Sequence, residues 1–142
     1  MENAKLFTLI KDIVIQARQR VYRMAKSSLL ETYWQIGELI VNNEQGGNAK
    51  AAYGSETLKT LAEQLTIEFG KGFDESNLRN MRIFYNAFPI RDALRHELSW
   101  THYRLISRMD SIEKRNYYLN ESIQSNWNSR ELQRQINSLA FE

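Results

Sequence analysis

Phe73-Asp74-Glu75-Ser76-Asn77-Leu78-Arg79-Asn80-Met81-Arg82-Ile83-Phe84-Tyr85-Asn86-Ala87-Phe88-Pro89 contains both ends and both faces of one helix. Asp74 is an N-cap, because its carboxylate can accept from the backbone N–H of Ser76 or Asn77. Phe73 and Leu78 stand at the two positions of a hydrophobic staple. At 100° per residue Leu78, Met81, Phe84, Tyr85 and Phe88 share one side, while Arg79, Arg82 and Asn86 line the other. Pro89 ends the helix by disfavouring helical backbone at Phe88. Upstream, Leu58, Leu61, Ala62 and Leu65 repeat as a second amphipathic helix running to Phe69, with Ser55 as its expected cap. A connection bearing Gly70 and Gly72 joins the two. A helix, a glycine turn and a helix with an Arg/Asn outer face read as a helix-turn-helix. The same pattern also describes an ordinary packed helix pair with a solvated face.

Working outward, the 142-residue chain holds one proline and six glycines, so breakers are few and the fold class is all-α. Between Asn3 and Asn43 the only one is Gly37. There Leu6, Leu9, Ile10, Ile13, Ala17, Val21 and Met24 recur at helical spacing. Leu29, Leu30, Tyr33, Trp34, Ile36, Ile40 and Val41 resume the pattern. The segment is either one long helix or two with a break near Ser27-Ser28. Unbroken, it spans about 60 Å, too long for a domain of this size to cover, which points to an interface. Asn42 to Tyr53 reads as a loop. Ser99 caps a further helix with Leu98 and Tyr103 as its staple. Asp110 and Glu113 read as a capping box for a helix with Ile112, Tyr117, Leu119 and Ile123. Asn128 caps the last helix, with Glu131 at its third position and Trp127 packing across to Leu132. The expected architecture is a long N-terminal helix, whole or broken, packed on a helix-turn-helix-type bundle of short capped helices. Its divisions are 1–45, a candidate oligomerisation segment, and 46–142.

With 42% hydrophobic and 11% aromatic residues the chain can fill a core, which excludes a disordered tail. Nineteen basic against 17 acidic residues give a net charge of only +2, so any nucleic-acid footprint must come from local clustering. There is no cysteine, which removes disulfides, a thiolate nucleophile and cysteine-based zinc sites. No signal-type N-terminus or membrane-length apolar run occurs, and a cytoplasmic location without membrane contact is expected. His96 and His102 lack the i,i+4 spacing of a metal pair, and His102, in the first turn of its helix, reads as a capping or packing residue. No phosphate-binding glycine loop, nucleophile–base pair or paired carboxylates are legible, so neither catalysis nor a metal or other cofactor is expected. The basic residues are the candidates that remain. Arg20, Arg23 and Lys26 recur at i,i+3,i+6, and Arg130 and Arg134 lie one turn apart.

Tyr33-Trp34-Gln35-Ile36-Gly37 with Ile40 resembles the tyrosine-tryptophan-x-isoleucine-glycine signature of the YhcG-type bacterial family. Tyr53-Gly54, Asn77-Leu78-Arg79 with Met81-Arg82, Phe84 and Pro89 are similar to it as well. So are Leu98-Ser99-Trp100-Thr101-His102-Tyr103 and Trp127-x-Ser129-Arg130-Glu131-Leu132 with Gln135-Ile136. The resemblance covers nearly the whole chain in order. It implies a helical DNA-binding region that precedes a PD-(D/E)XK nuclease domain, whose carboxylate set is not recognisable here. A looser resemblance links Leu61 to Leu65, the helix ending at Pro89, Leu98-Ser99-x-x-His102 and Ser129-Arg130-Glu131 to the helix-turn-helix core of ParB-type partition proteins. The turn from Thr66 to Phe73 is longer than a tight helix-turn-helix.

The expectation is therefore a non-catalytic domain that binds duplex DNA and positions a nuclease domain carried in cis by full-length relatives. Ser76, Arg79, Arg82 and Asn86 are expected to face the DNA, since arginine suits guanine and asparagine suits adenine. Arg20, Arg23, Lys26, Arg130 and Arg134 are the candidate phosphate contacts. Homo-oligomerisation through the N-terminal helix is expected alongside. The rival expectation is a protein-interaction module that does not touch DNA.

Overall fold

The computed structural model describes residues 2–46 and 51–141, the side chains at 45–46 and 51–55 apart. The elements are α1 (Asn3–Gly46), α2 (Ala51–Phe69), α3 (Glu75–Ala87), a 3-10 turn (Arg91–Ala93), α4 (Trp100–Ser107), α5 (Ile112–Gln124) and α6 (Ser129–Asn137). Among the described residues there is no strand, and no helix is long and apolar enough to cross a membrane.

Several boundaries differ from the sequence expectation. α1 is one helix of 44 residues, roughly 66 Å long, and does not break at Ser27-Ser28. Neither serine interrupts the hydrogen-bond ladder, and Ser28 instead accepts from Thr32 Oγ1 through its carbonyl at 2.7 Å. The expected loop at Asn42–Tyr53 is narrower, because α1 reaches Gly46 and α2 begins at Ala51. The rest of it, residues 47–50, lies outside the described residues. Ser55 falls inside α2 and is not its cap. The cap of α5 is Ser111, whose hydroxyl accepts from the Lys114 N–H at 3.1 Å, and not Asp110. Asp110 instead lies 3.7 Å from the Lys114 ammonium. The buried aromatic of α5 is Tyr118, while Ile112 is exposed.

Other local readings hold. Asp74 caps α3 by accepting from the Asn77 N–H at 2.8 Å, and Phe88, before Pro89, terminates it. Ser99 caps α4 over a staple of buried Leu98 and Tyr103. Asn128 caps α6, accepting from the Glu131 N–H at 2.8 Å. The Glu131 carboxylate goes forward to Arg134 and Gln135, at 3.0 Å each, so it closes no capping box. Gly70 and Gly72 take the positive φ values, 82° and 105°, that turn the chain from α2 into α3.

α3 is the central helix, packed against α1, α2 and α4, while α5 and α6 close over α4. Leu78, Met81 and Phe84 are fully buried in the core with Leu30, Trp34 and Ile40 of α1 and with Tyr103 and Ile106 of α4. Phe84 anchors an aromatic cluster, its ring 5.0 Å from Tyr103 and 5.4 Å from Trp100. The Trp34 indole N–H donates to the Phe88 carbonyl at 2.7 Å and ties the end of α3 to α1.

The α1–α3 crossing depends on Gly37. A Cβ built there would lie 2.2 Å from the Met81 carbonyl oxygen and 3.1 Å from Tyr85 Cβ. The first obstacle is backbone, so the helices themselves would have to separate. In an open helix Gly→Ala gains about 1 kcal/mol of propensity. Here overpacking opposes that gain, and the spread crossing disturbs every buried layer of α3. Gly37→Ala is expected to cost about 3 kcal/mol or more in urea unfolding. A neutral or stabilising result would show that the crossing is loose.

Candidate nucleic-acid interface

The first half of α1 has nothing packed on it. Between Leu6 and Met24 every large apolar side chain is exposed, including Phe7 (66%), Ile13 (67%), Val21 (66%) and Met24 (70%). Helical geometry sets their stripe about a third of a turn round α1 from Leu30, Trp34 and Gly37, the residues that face the core. The segment is an arm, not an outlying part of the core.

α3 leaves one strip open to solvent. Ser76, Arg79 and Asn86 are exposed along it, as expected, and Arg82 is half-buried. The arginines are not free, however. Arg79 pairs with Glu75 one turn back at 2.9 Å, and Arg82 reaches across to Glu44 of α1 at 3.0 Å. Arg82 thus helps hold the α1–α3 seam, a role its own helix could not reveal.

Beside this strip α3 and α4 form a polar cleft of about 310 Å³, lined by Tyr33, Asp74, Ser76, Asn77, Asn80, Trp100 and Arg104. Asn80 is buried, and its amide oxygen accepts from the Arg108 guanidinium at 2.7 Å. The Asn77 amide donates to the Gly72 carbonyl and fixes the turn against the helix. Arg104 is half-buried and has no hydrogen-bond or ion-pair partner among the described residues. Neither Arg104 nor Arg108 stood out in the sequence. Their i,i+4 spacing on a capped helix was the available signal, and it carries no meaning until α4 is seen beside α3.

The phosphate candidates do not gather into one surface. Arg20 and Arg23 are exposed on the arm, whereas Lys26 is half-buried with its ammonium 3.5 Å from the Glu97 carbonyl. Arg130 and Arg134 are exposed on α6, which packs on α4 and α5, and Arg134 pairs with Glu131 at 3.0 Å. Among the described residues no group of His, Asp or Glu is arranged to hold a metal.

These helices define a recognisable unit. The model of the DUF1016 N-terminal domain matches residues 9–142. The chain belongs to that family. It is 31% identical over 163 aligned residues to a protein of Escherichia coli (strain K12) named "Putative nuclease YhcG", an alignment covering 92% of this chain and 43% of that relative. The DUF1016 N-terminal domain described here therefore spans less than half the length of that relative. No solved structure matches it.

His102 lies where α4 meets the end of α5. Its Nδ1 accepts from the Ser99 N–H at 3.2 Å while its Nε2 lies 2.8 Å from the Trp127 carbonyl. Those two partners require a neutral ring protonated at Nε2. Burial, the largest influence, holds its pKa below the ordinary 6.5, and the nearby Lys26 ammonium adds to the lowering. A folded-state pKa below the unfolded value means that the unfolded chain takes up the proton first. Stability is then complete above pH 6.5 and falls as pH drops toward the folded-state pKa. His102→Gln keeps a capping-box residue without a titrating ring. Thermal melts from about pH 7.5 to about pH 5 are expected to show a smaller acid loss for this variant than for the wild type. Parallel curves would assign the loss to other groups.

Proposed function

We propose that this domain binds duplex DNA along the α3–α4 edge and, in longer members of its family, positions a PD-(D/E)XK nuclease domain on the bound duplex. The observation that supports this most directly is Arg104, a guanidinium without a partner among the described residues, in a polar cleft with Ser76, Asn77 and Asn80. Arginine and asparagine donors side by side suit base edges, and exposed arginines suit phosphates. Arg79 and Asn86 extend the surface along α3. The exposed pair to Glu75 does little to hold Arg79, since i,i+4 helix pairs contribute only about 0.3–0.5 kcal/mol. Arg82 is supported as a seam residue more than a reading one. Arg20, Arg23, Lys26, Arg130 and Arg134 stand as outlying phosphate contacts. The name of the E. coli relative agrees with a nucleic-acid role for the family.

The test is fluorescence anisotropy with one duplex at two salt concentrations. Replacing Arg79 and Arg104 with Ala is expected to weaken binding by about 1–3 kcal/mol for each arginine that reads a base edge, or to flatten the salt slope by about one for each that meets a phosphate. Melting temperature is expected to stay within a few degrees, as for surface changes of about 0.5 kcal/mol. Equal affinities for variant and wild type would remove this edge as the reader and leave the protein-interaction reading in front.

A second property rests on a separate observation. The exposed stripe from Leu6 to Met24 is more apolar surface than a monomer ordinarily leaves open, and it favours self-association through the arm. Sedimentation across a concentration series is expected to show a dimer. Ile10→Glu with Ile13→Glu is expected to return it to a monomer with unchanged helix content, because neither residue touches the core.

A further inference from the structure

The arm has a counterpart elsewhere in the fold. The second half of α1 and the whole of α2 diverge around an apolar cleft. One part, of about 330 Å³, is lined among others by Ile36, Leu39, Leu61, Leu65, Phe69 and Phe73. An adjoining part of about 240 Å³ continues past Ile40 and Leu58. The mouth is open, with Leu39 (69%) and Phe69 (67%) turned to solvent. The core of the monomer leaves this surface uncovered.

Charge distinguishes the two surfaces. Residues 3–26 carry six basic side chains (Lys5, Lys11, Arg18, Arg20, Arg23 and Lys26) against Asp12 alone. The helices that form the cleft, residues 27–46 and 51–69, carry six acidic ones (Glu31, Glu38, Glu44, Glu56, Glu63 and Glu68) against Lys59 alone. Around the arm helix Lys11, Arg18 and Arg20 flank the apolar stripe. An arm packed on a second arm side by side would set these like charges against each other. An arm laid in the cleft sets them against the exposed Glu68, next to Phe69 at the mouth, and against Glu44, which lines the cleft.

We infer that the arm of one copy occupies the α1–α2 cleft of a second copy, and that the exchange is reciprocal. It cannot occur within one chain, because α1 is a single unbroken helix that carries its arm away from its own cleft. Running the two α1 helices antiparallel brings each arm alongside the second half of the other α1 and closes a two-fold dimer. Val21, Leu29 and Leu39, all exposed, continue the apolar surface at helical spacing from arm to cleft. The inference rests on the self-association proposed above and specifies where the arm lies.

The absence of native cysteine allows a direct test. Full-length Ile13→Cys and Leu61→Cys chains, one carrying a mass tag, are mixed and mildly oxidised, with sedimentation run on the same samples. A mixed disulfide in excess over either self-linked product is the expected result. Lys11→Glu with Arg18→Glu is expected to raise the dimer dissociation constant about tenfold at low salt, with recovery when mixed with Glu68→Lys chains. A dimer in which Ile13→Cys links chiefly to itself would overturn arm exchange while leaving self-association standing. A monomer at all concentrations would overturn both. A monomer whose residue-13 thiol is protected from maleimide only by added duplex DNA would make the arm a nucleic-acid surface instead.

Discussion

The contact between Gly37 and the Met81 carbonyl governs the geometry of this domain. Glycine inside a helix sacrifices about 1 kcal/mol relative to alanine, and it is retained where nothing larger fits. Bringing α3 against α1 at this point seats Met81 and Phe84 in the core and puts Phe88 within reach of the Trp34 indole. The tyrosine-tryptophan-x-isoleucine-glycine run is then a set of physical roles one helical turn long. Tyr33 meets the Trp100 ring at 5.0 Å, Trp34 holds the end of α3, Ile36 lines the α1–α2 cleft, and Gly37 admits the crossing. Gln35, at the unspecified position, is exposed.

One consequence is a division of labour along a single helix. The half of α1 from Leu30 onward belongs to the core, and the half before it does not. A continuous helix transmits orientation, so the arm is aimed by the same crossing that organises the bundle. Its apolar stripe is turned about a third of a turn from the face that packs on the bundle, and the bundle leaves it uncovered. Basic residues concentrated on the arm and acidic ones on the helices that form the cleft are hidden in a net charge of +2. The bulk value would mislead any electrostatic argument about partners.

The parts of the fold written in neighbouring residues were legible in the sequence. Asp74, Ser99 and Asn128 cap their helices because a cap is decided within one turn, and Pro89 stops α3 for the same reason. What stayed hidden depends on residues far apart in the chain. Ser27-Ser28 gave no local reason for α1 to continue; packing of Leu30 and Trp34 on one side and a good ladder through both serines decide it. Asp110 and Ser111 are both competent caps, and the backbone path from α4 selects the second. Arg82 looked like a free arginine until Glu44, 38 residues away, was seen beside it. Asn80, which the helix pattern assigned to neither face, is buried and held by Arg108. Arg104, the side chain that distinguishes the α3–α4 cleft, was invisible for the same reason.

The charges around that cleft bear on what it would recognise on the proposed reading. Asp74 and Arg104 line the same recess, so its net field is small, and a phosphate entering it meets a carboxylate as well as a guanidinium. Such a pair, with the amides of Asn77 and Asn80, presents donors and acceptors together, which matches the mixed edge of a base pair better than a phosphate oxygen. Phosphate contacts would then fall to the exposed cations outside it, Arg79 on α3 and Arg23 on the arm. In an exchanged dimer the apolar stripe turns toward the partner, and Arg23, about 100° round the helix from it, borders that interface as Lys11 and Arg18 do. Dimerisation and DNA binding therefore draw on adjoining faces of α1, whereas Arg79 on α3 is a phosphate contact that the arm exchange does not involve.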